Sequence, residues 1–483
     1  MIIFNVLLLI NLSSVNRRKI LFFILLMRVK KQRRKFNMND QPKKVKLGLF
    51  LAGTGHHVAS WRHPHAIENA SMNLTYFKEI AQTAEKGLFD LLFLADSLSV
   101  DENSHPNILT RFEPMTLLSY IASATSHIGL VATASTTYEE PFHVARKFAS
   151  LDHISAGRAG WNVVTTSLAS TAENFNKTEH LEHSARYRRA TEFMEVAKKL
   201  WDSWEEDTLV IDKESGQFID KNKFHQINHQ GEFFSVRGPL NVSRSPQGQP
   251  VIVQAGSSGD GQRFAAKYAE IVFTAQANKD DAITFYKELK GQMEQYNRKK
   301  SSLSIMPGFM PIVGATEAEA QEKYEALQEL IIPKAGLAIL GRYFGDIDFA
   351  GISLDTPFTD IKLPETVNAI QSKHEMILKK AKEENWTLRQ TYQWVAGSRG
   401  HHIAIGTPTQ IADKMEEWVR EGAADGFNIM PALLPDSLTD FVTYVIPELQ
   451  ARGIYRTEYE SDTLRGNLGL ELPNHYTHKI NDN

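Results

Sequence analysis

Two kinds of residue in this chain could do chemistry: a glycine–serine corner suited to an anion, and a scatter of histidines. The stretch Val251-Ile-Val-Gln-Ala-Gly-Ser-Ser-Gly-Asp-Gly261 is an apolar run followed by a corner that opens into a helix from Gln262 to Ala269. Free backbone N–H groups and the hydroxyls of Ser257 and Ser258 would converge there, and the helix dipole favours negative charge. The same serines could equally serve only to cap the helix. His183 and Tyr187 stand four apart on a helical run and so share a face. Each can donate a hydrogen bond and lie against a flat ring. Spacing alone favours the plainer reading, in which Tyr187 joins the apolar stripe of its helix and His183 is an exposed end.

His56, His57, His63 and His65 crowd one loop, with Arg62 among them. A zinc site would combine such histidines with a carboxylate on a rigid element, and the first acid after them is Glu68. They are expected to line a polar pocket, with His56, His57 and Arg62 as its candidates, and no metal is expected. Gly53-x-Gly55-x-x-Val58 echoes a dinucleotide fingerprint. It lacks the third small residue, and the next helix waits until Asn73. No catalytic triad or paired carboxylates stand out, which fits an enzyme whose cofactor carries the chemistry.

The elements that must position these residues alternate strand and helix. Strands are expected at Val45–Leu51, Asp90–Asp96, Ile128–Ser135, Arg158–Thr166, Val251–Ala255, Ile271–Ala275, Ile305–Val313 and Gly426–Met430. Helices are expected at Asn73–Gly87, Glu113–Ala124, Pro141–His153, His183–Trp204, Asp280–Tyr296, Thr316–Leu330, Pro408–Glu421 and Leu438–Ala451. Eight uninterrupted apolar strands separated by helices indicate a parallel sheet covered on both faces. The fold class is α/β, a (β/α)8 TIM barrel with long insertions after strands 4 and 7; a doubly wound open sheet is the alternative. The insertions are Ser167–Pro250 and Ile331–Gly406, the second with helix around Thr366–Glu384. The polar tail from Arg452 is expected to wrap the outside. Functional residues should gather where strands end and loops begin. That places Asp96, Thr133 and Asn162 beside the serine corner.

The 483 residues contain no cysteine, which excludes disulfides and a thiolate nucleophile and is compatible with a reducing cytoplasm. The net charge of −3 conceals an asymmetry: residues 1–37 hold nine Lys/Arg and no acid, leaving 45 basic against 57 acidic residues. An acidic body repels nucleic acid. The apolar runs Met1–Leu12 and Ile20–Val29 are too short to span a bilayer. The basic residues follow the second run, the reverse of a signal peptide. A membrane-surface anchor is one reading, which would make this a membrane-attached binding protein. The preferred expectation is that residues 1–37 are not part of the native protein and that translation starts at Met38.

At Gly157-Arg-Ala-Gly-Trp-Asn-Val-Val-Thr-Thr166 the chain resembles the flavin-dependent monooxygenases of the bacterial luciferase superfamily. The nearest branch is that of nitrilotriacetate monooxygenase, dibenzothiophene-sulfone monooxygenase and pristinamycin IIA synthase. Arg111-Phe-Glu-Pro114, Leu151-Asp-His-Ile-Ser155, Gln254-Ala-Gly-Ser-Ser258 and Ala423-Ala-Asp-Gly-Phe427 carry the likeness along the chain from Val45 to the tail. The resemblance implies a barrel that uses reduced FMN from a separate NAD(P)H-dependent flavin reductase, and O2 through a C4a-(hydro)peroxyflavin. It implies cofactor contacts at Asp96, Thr133, His183, Tyr187, Ser257 and Ser258, with Asn162 against the ring. That overturns the plainer reading of His183 and Tyr187. It also implies a homo-oligomer. Trp61-Arg-His-Pro64 and Leu464-Arg-Gly-Asn-Leu468 resemble members that oxidise S-substituted N-acetylcysteines in sulfur salvage. Such a thioether is the expected substrate, its carboxylate met by Arg62 and the loop histidines. The insertion Ile331–Gly406 is the expected lid. Competing readings are an F420-dependent oxidoreductase on the same fold and a metal-dependent barrel hydrolase.

Overall fold

In the computed structural model, residues 43–475 are described, except 103, 257, 346, 364–370, 399 and 474. The expectations for residues 1–37, for a start at Met38 and for Ser257 therefore lie outside the described residues.

Nine parallel strands form the main sheet: β1 Lys46–Phe50, β2 Leu91–Leu94, β3 Gly129–Ser135, β4 Ala159–Val164, β5 Val251–Ala255, β6 Ile271–Thr274, β7 Ser304–Val313, β8 His402–Gly406 and β9 Gly426–Ile429. Each of β1 to β7 pairs with the next, β7 pairs with β9, and β9 pairs back onto β1, so eight strands close into a barrel. The open-sheet alternative is thereby excluded. β8, absent from the expected set, lies outside the eight. It pairs with the second half of β7, from Phe309 to Val313, while Ser304–Pro307 pairs with β6.

Helices cover the outside. They are α1 Leu74–Lys86, α2 Pro114–Ala122, α3 Pro141–Ile154, α4 His183–Trp201, α5 Gly259–Tyr268, α6 Lys279–Gln292 and α7 Glu317–Glu329. Their starts follow from local chemistry. Asn73 accepts the Tyr76 N–H at 3.1 Å to begin α1, and Pro114 and Pro141 occupy first turns, where a missing N–H costs nothing. α4 buries Ala190, Phe193, Met194, Ala197 and Trp201. Phe193 stands 5.7 Å from the ring of Trp161, which faces outward from β4. Inward-facing residues alternate with these. Phe50 stands edge to face with Phe93 and with Phe273, and Phe93 and Phe273 are tilted against each other, all with ring centroids 5.1–5.4 Å apart.

The tail does not wrap the outside. Leu464 and Leu468 enter the bottom of the barrel and pack with Leu91, Val131, Val251 and Met306. A Cβ on Gly129 would collide with Leu464. Polar composition hid an apolar pair one helical turn apart. Arg465 seals the plug through Glu270 and the Gln249 carbonyl.

The second insertion builds α8 Pro333–Arg342, α9 Gln371–Glu383 and α10 Leu388–Ser398, before α11 Pro408–Arg420. Only α9 falls where helix was expected. The insertion has its own core of Leu340, Phe344, Phe349, Phe358, Tyr392 and Val395, which takes in Val58 and Ala59 from the loop after β1.

Candidate active site

The C-terminal ends of β2 to β5 and the first turns of α4 enclose a cavity of ≈ 570 Å³. Its wall includes Asp96, Thr133, His183, Tyr187, Gln254 and Ala255.

Register explains the floor. Thr133 on β3 stands opposite Asn162 on β4. Asn162 Nδ2 donates to Thr133 Oγ1 at 2.8 Å, and that hydroxyl donates onward to the Leu94 carbonyl at 2.8 Å. The donor of Thr133 is thus spent within the protein, and the group left over is Asn162 Oδ1. It is buried and without a hydrogen-bond partner among the described residues. A buried acceptor left unpaired costs about 1–3 kcal/mol, and this one stands one hydrogen bond from Thr133, which lines the cavity. Asp96, two residues past β2, accepts the Ser97 N–H at 2.8 Å and faces Arg111 Nε at 3.3 Å. Burial raises its carboxyl above the ordinary value, against the pull of Arg111.

The serine corner after β5 and the histidine–tyrosine pair on α4 face each other. Ser258 Oγ accepts the Gly261 N–H at 3.1 Å, so it does cap α5. A Cβ on Gly261 would stand 3.0 Å from the Tyr187 hydroxyl and 3.1 Å from Ser258 Oγ. The glycine therefore leaves a cradle bounded by the α5 amides, the serine and the tyrosine. Asp260 brings a carboxylate to the same turn. Its charge is offset by Arg263, and it lies 3.1 Å from His183 Nδ1. The rings of His183 and Tyr187 lie 5.0 Å apart. A singly phosphorylated flat ring fits this arrangement: amides and hydroxyls at one end, an orphan acceptor at the other.

The loop after β1 departs from expectation. His56 Nε2 lies 2.8 Å from the Phe50 carbonyl, with its ring 4.3 Å from that of Phe50. It lines a second cavity of ≈ 160 Å³ with Arg111, His401 and Met430. His57 is fully buried, its Nε2 3.3 Å from Gln328 Oε1 on α7. Arg62 donates to the Leu330 carbonyl, and exposed His65 pairs with Asp436 at 2.8 Å. Arg62 and His65 therefore do not reach the large cavity. A short 3-10 turn at Ser60–Arg62 carries Arg62 outward to Leu330 at the base of the insertion, while His65 turns to Asp436 after β9.

Among the cavity-lining residues the sequence reading did not assign to the site are Gln254, Phe175 and Arg186. Gln254 opens the motif Gln254-Ala-Gly-Ser-Ser258, which was read for its serines alone. Phe175 lies in an insertion without helical period. Arg186 had a usable signal, three residues from His183 on the same helix.

The chain matches the family model described as luciferase-like monooxygenase over residues 54–425. It is 60% identical over 436 residues, 90% of this chain and 99% of the other, to N-acetyl-S-(2-succino)cysteine monooxygenase of Bacillus subtilis (strain 168). It is 48% identical over 445 residues, 89% of this chain and 97% of the other, to nitrilotriacetate monooxygenase component A of Aminobacter aminovorans. Among solved structures, a riboflavin lyase with modified FMN and riboflavin superposes with a TM-score of 0.76 at 31% identity, covering 89% of this chain and 97% of that one.

Proposed function

The chain belongs to the luciferase-like monooxygenase family and is a flavin-dependent monooxygenase; we propose that it is the oxygenating component of a two-component system. In this reading a separate NAD(P)H-dependent flavin reductase supplies reduced FMN, and the substrate is an S-substituted N-acetylcysteine thioether. The observation that carries the cofactor assignment is the cradle at Gly261, closed on one side by Ser258 and on the other by Tyr187. The 60% identical relative supports the thioether.

Bound reduced flavin supplies the electrons with which one atom of O2 enters the substrate and the other leaves as water. The protein's own groups do the rest. The α5 amides, Ser258 and Tyr187 would hold the phosphate, and Arg263 offsets the charge of the Asp260 carboxylate on the same turn. Asn162 Oδ1, one hydrogen bond from Thr133, would be the acceptor for a ring N–H. Phe50, Phe93 and Phe273 keep the barrel floor dry, and the insertion with the Val58–Ala59 loop closes the side away from α4, limiting wasteful loss of oxygen as peroxide. Neither Arg62 nor the Leu464–Leu468 segment contacts substrate in this reading. The first points outward and the second plugs the far end of the barrel.

The test is turnover of N-acetyl-S-(2-succino)cysteine with NADH, FMN, O2 and an added flavin reductase. Oxygenated product above the peroxide background is expected. NADH consumption matched by hydrogen peroxide alone, with the thioether intact, contradicts the proposal.

A further inference from the structure

Three basic side chains stand in the wall of the large cavity: Lys147, His183 and Arg186. Lys147 pairs with Glu139 at 3.0 Å and His183 with Asp260 at 3.1 Å. Arg186 has no ion-pair partner among the described residues. It is 9% exposed, Nη1 donates to the Leu181 carbonyl at 2.6 Å, and buried Nε has no hydrogen-bond partner among the described residues. A guanidinium does not shed its proton inside a protein, and a buried cation without a counter-charge is costly. An oxyanion in the cavity would supply the missing partner in the forked geometry that arginine favours.

Two oxyanions are at issue, the cofactor's phosphate and a substrate carboxylate. Position decides between them. Tyr187 is the residue of α4 that meets the cradle, and Arg186 is turned from it by about 100° around the helix. Its anchor is Leu181, and its charge is felt by Tyr138 and by His180, which burial and then Arg186 make harder to protonate. Tyr138, on the loop after β3, and His180, in the first insertion, are hydrogen-bonded to each other at 2.6 Å, and Phe175, which lines the large cavity, stacks on Tyr138. The cradle already has the α5 amides for phosphate. The cation that was expected to meet a carboxylate, Arg62, points away.

We propose that Arg186 is the specificity residue through which the enzyme holds a carboxylate of its substrate, so that acidic thioethers are preferred over neutral ones. The proposal rests on the flavin-dependent thioether oxygenation above. It extends that reading to the chemical group recognised and the residue that recognises it.

The experiment compares wild type, Arg186→Gln and Arg186→Lys with N-acetyl-S-(2-succino)cysteine and with its methyl-esterified form. Arg186→Gln is expected to raise KM for the acid about 10- to 100-fold, the usual worth of a charge-assisted hydrogen bond, with kcat changed less than about threefold. Arg186→Lys, a point charge without the fork, should fall between, and it serves if the Gln variant does not fold. KM for the ester should not respond. FMN and riboflavin titrations run alongside. A loss of FMN affinity with riboflavin binding kept would assign the guanidinium to the phosphate and overturn the proposal. So would equal KM increases for acid and ester. Succinate binding to the protein loaded with oxidised FMN separates this proposal from the thioether reading. If wild type leaves the thioether untouched but binds succinate, and Arg186→Gln abolishes that binding, the thioether assignment falls and the carboxylate site stands. Unchanged or absent succinate binding in that case overturns the site as well.

Discussion

At the scale of single residues, the site is a set of hydrogen-bond debts. Thr133 spends its donor on Leu94, Asn162 spends its amide on Thr133, and Asn162 Oδ1 is left over. Asn162→Leu keeps the volume and removes that acceptor. FMN and riboflavin affinity should both fall about tenfold, because the lost contact is to the ring and one good hydrogen bond is worth ~1.4 kcal/mol. Equal affinities for wild type and variant, by fluorescence titration, would place the ring elsewhere. Strand ends made Asp96, Thr133 and Asn162 legible in the sequence and the glycine–serine corner made Ser258 so, whereas His183 and Tyr187 rose above the apolar-stripe reading only through the family resemblance. Side-chain direction was not. Arg62 and His56 stand six apart in one loop, yet one bonds the Leu330 carbonyl outside and the other sits on Phe50 inside. A loop's course is set by distant partners, here α7 and the insertion, and local spacing carries no record of them.

At the scale of elements, α5 and α4 make the cradle by meeting where Gly261 has no side chain. Gly261→Ala should leave folding intact or improve it by up to ~1 kcal/mol, since alanine suits a helix better. The added methyl would press on the Tyr187 hydroxyl and lower FMN affinity. Calorimetry and FMN titration should thus move in opposite directions; a parallel change contradicts the cradle. The insertion's core takes in Val58. Val58→Ser should loosen the insertion from the loop after β1 and raise the peroxide formed per NADH consumed, read by peroxide assay. An unchanged ratio would deny the insertion a role in excluding water. The barrel strands were legible because buried parallel strands are continuous apolar runs. β8 was not, because it lies inside an insertion and exists by pairing with a β7 that outruns β6. α8 and α10 were missed for a similar reason: they pack on each other and on α9 rather than on the barrel.

At the scale of the whole molecule, a closed barrel needs a secure seam, and charge supplies it. Asp425, just before β9, accepts the Ile305 N–H at 2.9 Å and the Tyr286 hydroxyl at 2.9 Å, and pairs with Lys290 at 3.1 Å and with Lys43. Burial alone would raise its carboxyl, but Lys290 and Lys43 outweigh it and hold it below the ordinary value. A depressed carboxylate stabilises the fold above its unfolded value near 3.8 and loses that contribution as pH falls through the folded value. Asp425→Asn should therefore cost about 3–5 kcal/mol at neutral pH, where it leaves buried Lys290 uncompensated. The gap to wild type should close as acid protonates Asp425 itself. Denaturation curves at pH 7 and below pH 3 check this, and a gap that widens in acid contradicts it. The plug makes a second demand. Leu464→Ala should cost about 2–5 kcal/mol through the cavity it leaves, with FMN affinity unchanged, because the plug and the cradle sit at opposite ends of the barrel. Among the described residues no helix is long and apolar enough to cross a membrane.

The central claim is that the corner after β5 grips a phosphate opposite Tyr187, and Ser258→Asp tests it most directly. Aspartate caps a helix as well as serine does, so α5 should persist, while a new negative charge enters the cradle. Titrated against both flavins, the variant should bind FMN at least about tenfold more weakly than wild type through like-charge repulsion and bind riboflavin, which lacks the phosphate, as before. FMN affinity equal to wild type would contradict the account.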